Sequence, residues 1–180
     1  MTGGSVTSST NAIRNRVGGT INVLGGTIIS TNASAIYNAA GGNINVSDGT
    51  ISGSTNGIYN NAAGIINVTG GLITGSTSVG VRGLTGTVSI SGSSTSITGK
   101  TYGVSVTTGT ATITEGTINA TGGVGAYLNG GTLTIGTNEE TPSVSTTVPS
   151  ITGTTYGVQV ESGTFNFYDG VIKGAENKSI

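Results

Sequence analysis

The chain repeats itself about every 22 residues, and that period restricts it to a stack of like units. Seven phrases align on Gly19, Gly42, Gly64, Gly86, Gly109, Gly131 and Gly163, each opening an alternating run such as Gly19-Thr20-Ile21-Asn22-Val23. Successive phrases lie 23, 22, 22, 23, 22 and 32 residues apart. A fixed period of this size, with strand-like alternation inside it, marks a solenoid built of one coil per repeat.

Each repeat holds three alternating runs, here called A, B and C; in the first full coil they cover 20–24, 27–31 and 35–39. Alternation sends residues i and i+2 to one face. Run A then points Ile21, Ile44, Ile66, Val88, Ala111, Leu133 and Phe165 inward, and run B points Val6, Ile28, Ile51, Ile73, Ile97, Ile118, Ile151 and Ile172 inward. Two residues later, run B carries only Ser30, Gly53, Gly75, Gly99, Ala120, Gly153 and Gly174, small enough for a tight interior corner. Run C begins with Ile13, Ile36, Ile58, Val81, Val104, Ala126, Val158 and Ile180. Two residues further stand Asn15, Asn38 and Asn60, which would hydrogen-bond to one another along the interior of the stack.

The steps from run to run are mostly 7 or 8 residues, which leaves no room for connecting helices. Each run must pair with its equivalent one coil away. The expected fold is all-β: a right-handed, single-stranded parallel β-helix of about seven coils, three short strands per coil, spanning residues 1–180 as one domain. At ~4.8 Å between strands the rod would be about 35 Å long. The corners between A and B read Gly25-Gly26, Asp48-Gly49, Gly70-Gly71, Glu115-Gly116 and Asp169-Gly170, where glycine supplies a positive φ.

Two corners break the period. Val88 to Ile97 is two residues longer than the usual step of 7. Leu133 to Ile151 is eleven longer, which places an inserted loop at 137–149. Insertions in solenoids become loops on one face. The chain starts and stops in mid-coil and shows no polar cap at either end. It therefore reads as a segment of a longer repeat protein, with end-to-end self-association as the alternative.

Composition narrows the chemistry. With 34 Gly, 54 Ser or Thr and 16 Asn, the chain has only six basic and seven acidic side chains and a net charge of −1. That balance offers no footprint for nucleic acid. There is no Cys and no His, so thiol nucleophiles, zinc sites and Ser-His-Asp triads are excluded. No apolar run is long enough to span a membrane as a helix.

The phrases Gly-Gly-Thr-Ile-Asn-Val at 18–23, Gly-Ile-Tyr-Asn at 57–60 and Phe-Asn-Phe-Tyr-Asp-Gly-Val-Ile-Lys-Gly at 165–174 carry a resemblance. Over nearly its whole length the chain resembles bacterial cell-surface β-helix proteins, the adhesins and related repeat proteins of the pectate-lyase-like fold. The resemblance implies an extracellular or cell-surface location. Lyases and hydrolases of that fold use clustered Asp with Arg or Lys on one sheet face, and no strand here carries such a cluster.

Three surfaces are candidates for function. Glu115 and Asp169 share the A-to-B corner two coils apart, about 10 Å at the spacing above. The loop between them carries Glu139 and Glu140, and together the four could hold Ca²⁺ or could simply be solvated corner residues. The outward column of run C reads Arg14, Tyr37, Tyr59, Arg82, Ser105, Tyr127 and Gln159. Its Tyr37, Tyr59, Arg82 and Tyr127 could bind a glycan or a host-surface protein, or could stack on one another and stiffen the sheet. The outward Thr and Asn of run A, such as Thr110 and Thr112, could order water as an ice-binding face does. The leading expectation is a non-catalytic structural or adhesive segment; a carbohydrate-binding or carbohydrate-processing β-helix is the alternative.

Overall fold

The computed structural model describes residues 1–138 and 148–175. It is a β-solenoid of stacked coils. Every pairing among the described strands is parallel, and each strand bonds to its equivalent one coil away. No helix occurs among the described residues.

The pairing follows the sequence columns. Run A stacks Ile21 on Ile44, Ile66, Val88, Ala111, Leu133 and Phe165 in that order. Run B stacks Val6 on Ile28, Ile51, Ile73, Ile97, Ile118, Ile151 and Ile172. Run C stacks Ile13 on Ile36, Ile58, Val81, Val104, Ala126 and Val158. These three columns form one continuous core, fully buried from Ile28 to Ile151. Only the outermost rungs are open: Val6, Ile13 and Ile21 at one end, Val158, Phe165 and Ile172 at the other.

The coils differ from the expected three separate strands in one respect. Runs A and B fuse into single strands at Gly19–Ser30 and Gly42–Gly53, and runs C and A fuse at Val124–Ile135 and Val158–Phe167. The corners there are so short that pairing carries through them, with the register shifting where Leu24 meets Asp48. Gly49 makes that corner with φ of 104°, and the Asp48 carboxylate accepts its N–H at 2.7 Å.

The small column of run B has a steric cause. A Cβ on Gly53 would run into the carbonyl oxygen of Asn56, one on Gly99 into that of Tyr102, and one on Gly153 into that of Tyr156. In these three coils the step from B to C is seven residues: Ile51 to Ile58, Ile97 to Val104, Ile151 to Val158. Ser30 and Ala120 sit where the step is eight, Ile28 to Ile36 and Ile118 to Ala126. Both of these corners admit a Cβ, as does the end coil at Ser8, where the step from Val6 to Ile13 is seven. Gly75 also has an eight-residue step yet faces the Val79 carbonyl, so step length alone does not decide where a side chain fits.

The insertions leave the register intact. In the smaller one, Thr95 folds back into the corner, is buried, and donates its hydroxyl to the Ser91 carbonyl at 2.7 Å. After the larger one, Ile118 pairs with Ile151 as in any other coil. Residues 139–147 of that loop lie outside the described residues, as does Ile180.

The interior asparagines form the expected ladder. Asn15 Nδ2 donates to Asn38 Oδ1 at 2.9 Å, and Asn38 Nδ2 donates to Asn60 Oδ1 at 2.8 Å. The ladder ends where Asn60 Nδ2 donates to the Thr85 carbonyl at 3.1 Å. Asn38 and Asn60 are fully buried, so each amide needs these partners. Beyond Gly83 the same column turns apolar with Val106 and Leu128.

Candidate binding face on the third run of each coil

The outward column of run C splits into two groups. In the first, Arg14 lies over the Tyr37 ring at 5.5 Å, Tyr37 packs on Tyr59 at 5.2 Å, and Arg82 lies over Tyr59 at 5.0 Å. The in-register stacking of strands Ile36–Asn38 and Ile58–Asn60 brings the rings together. Both outer ring faces are thus covered by guanidinium groups, each such contact contributing about 0.5–1 kcal/mol at an exposed site. A sugar ring cannot lie flat on either tyrosine. Their edges and hydroxyls remain accessible, and the Tyr59 hydroxyl donates to Asn61 Oδ1 at 2.7 Å.

Tyr127 does not join this group. The buried Ser105 intervenes between Arg82 and Tyr127, and the Tyr127 ring stacks on Tyr102 instead, at 4.6 Å and 23°. Partial burial of the Tyr127 phenol, then the nearby Glu161 carboxylate and Tyr102, raise its pKa above the ordinary tyrosine value. The expected ligand surface of Tyr37, Tyr59, Arg82 and Tyr127 is therefore two separate patches.

An open groove of about 430 Å³ lies beside the first patch, lined by Asn11, Ser34, Tyr37, Asn56, Tyr59 and Arg82 among others. Its floor is a polar pair. Asn56 Nδ2 donates to Ser34 Oγ at 3.0 Å, and Ser34 Oγ shares a hydrogen bond with Thr55 Oγ1 at 3.3 Å. Asn56 is only 6% exposed, and its Oδ1 is buried with no hydrogen-bond partner. No carboxylate lines the groove. Arg82 makes no ion pair with the described residues and lies over the Tyr59 ring.

Sequence reasoning passed over this floor. The position two residues before each leading residue of run C reads Asn11, Ser34, Asn56, then Val79, Tyr102, Val124, Tyr156. The switch from polar to apolar after three coils was the available signal. It falls in what reads as a turn, so nothing marked those side chains as inward.

At the acidic edge, Glu115 and Asp169 line one polar cleft of about 470 Å³ with Ser91, Thr114, Thr137 and Val148. The Asp169 carboxylate accepts the Gly170 N–H at 2.6 Å, as Asp48 does at its own corner. Glu139 and Glu140 lie outside the described residues, and no group of three metal-ligating side chains occurs among the described ones. On run A, the outward amides are engaged with each other: Asn45 Nδ2 donates to Asn22 Oδ1 at 2.8 Å and Asn67 Nδ2 to Asn45 Oδ1 at 3.0 Å.

No protein family, curated protein or solved structure matches this chain. No helix among the described residues is long and apolar enough to cross a membrane.

Proposed function

We propose that the chain is a non-catalytic rod segment of a surface or secreted protein, whose role is to hold outward side chains at fixed positions for binding. The observation that supports this is the unbroken register of three columns across the described coils, buried in all but the outermost. Such a stack sets outward residues at ~4.8 Å intervals and keeps them there without a ligand. Preorganisation of that kind lowers the ordering cost of binding. A carbohydrate-binding role is the second reading, and the polar groove beside Tyr37, Tyr59 and Arg82 favours it. The test is a glycan and matrix-protein array probed with the labelled chain, followed by product analysis of whatever is retained. Retention without cleavage is expected. New reducing ends or unsaturated sugar termini among the retained glycans would overturn the non-catalytic reading.

A further inference from the structure

The groove floor is out of keeping with the rest of the stack. Among the described coils, each from Val79 onward fills that position with Val or Tyr, and Val79 and Val124 are buried there without any polar cost. Asn56 instead places an amide oxygen in a buried site with no donor, a defect that costs about 1–3 kcal/mol. A valine of the repeat's own type would avoid it. A polar group kept at such a cost needs an explanation outside packing.

Two further features belong to the same groove. Arg82 brings an uncompensated positive charge to the rim, held in place by the Tyr59 ring. The volume of about 430 Å³ falls in the range of small-molecule sites. A planar guanidinium with free N–H groups matches an oxyanion, whereas amides and hydroxyls on the floor match alcohol groups.

We propose that this groove binds an anionic sugar unit, with Arg82 taking the acidic group and the Ser34–Asn56 pair taking ring hydroxyls. This deepens the binding-rod reading and rests on it. A small rotation of the Asn56 amide would open its buried Oδ1 to a ligand hydroxyl, the donor it lacks. The stacked tyrosine edges form the wall that orients the ring.

The test uses three probes differing only at one carbon: methyl glucuronide, methyl glucoside and methyl glucoside 6-sulfate. Each is titrated into the full 180-residue chain and followed by ligand-observed NMR. The glucuronide should bind in the millimolar range, at least tenfold more tightly than the neutral glucoside, and weaken as salt rises. Equal binding of the sulfate extends the site to anionic sugars generally; glucuronide binding alone assigns it to the planar carboxylate. Arg82→Gln should abolish the preference for charge. Asn56→Val, which copies the later coils, should weaken all binding while keeping or raising the melting temperature. A folded chain that binds none of the probes, or binds the neutral sugar as well as the acidic one, overturns the inference and leaves the rod reading standing. Release of methanol from any probe would overturn the rod reading itself.

Discussion

Ile66 and Asn67 are neighbours in one short strand and live in opposite surroundings. Ile66 is fully buried between Ile44 and Val88, while Asn67 faces out and donates to Asn45. Ile66→Asp puts a charge into an apolar column with no partner, at a cost of several kcal/mol. That is a large fraction of a total stability of about 5–15 kcal/mol. The variant should lose its cooperative thermal transition by circular dichroism. Asn67→Asp loses one amide donor at the surface, worth about 1 kcal/mol or less, and its melt should shift little. Similar melts for the two variants would contradict the register. A second residue-scale expectation concerns Tyr127. Its folded pKa is raised, so the stability tied to it is whole below the ordinary tyrosine pKa and declines as pH rises through the folded value. Spectrophotometric titration should show a late-ionising tyrosine that disappears in Tyr127→Phe.

At the scale of single elements, the corners decide what can change. The obstacle facing a Cβ at Gly53 is the Asn56 backbone, which hydrogen-bonds onward to the Ala35 N–H at 3.0 Å. It cannot yield as a flexible side chain would. Gly53→Ala should therefore cost about 1–3 kcal/mol or more in denaturant unfolding. Ala120→Gly, at the roomier eight-residue corner, should cost about 1 kcal/mol. Equal effects would remove the Asn56 backbone as the cause. The strand columns were legible in the sequence because each inward position repeats in every coil: Ile28, Ile51 and Ile73 report the same fact three times. The Asn15–Asn38–Asn60 ladder was legible for the same reason. Fusion of runs at Gly19–Ser30 was not, because it depends on how a corner's hydrogen bonds align, which composition does not encode. The division of the tyrosine column was hidden too. Tyr127 has a closer aromatic partner in Tyr102, which belongs to a corner and not to the column. The groove floor escaped notice because Asn56 is buried by the curvature of a turn.

At the scale of the whole rod, the two ends are unlike the middle. Phe165 and Phe167 belong to the inward columns of run A yet are exposed, Phe167 to 49%, and a cavity of about 570 Å³ opens beside Val158, Phe165 and Ile172. At the other end the Met1 amino group bonds the Asn22 carbonyl at 2.7 Å and the Leu24 N–H bonds back to Met1 at 2.7 Å, which covers part of the first coil. Open strand edges and apolar rungs invite strand addition. The isolated chain should show apparent mass rising with concentration in light scattering, and Phe167→Lys should suppress that rise. A constant monomer mass across the dilution series would count against association through the last coil.

The amide ladder that stops at Thr85 bears on how the rod could be lengthened. Each rung of the stack is interchangeable with the next as long as whole coils are exchanged, because every residue then keeps its face and its neighbour. An unequal crossover within the gene that duplicated the coil of Asn38 or Asn60 would lengthen the amide chain by one link and leave the isoleucine columns unbroken. The same event in the coils beyond Gly83 would lengthen the apolar half instead. The passage from Asn60 to Gly83 is therefore a junction between two kinds of coil, and copying whole coils on either side of it would keep the columns in register.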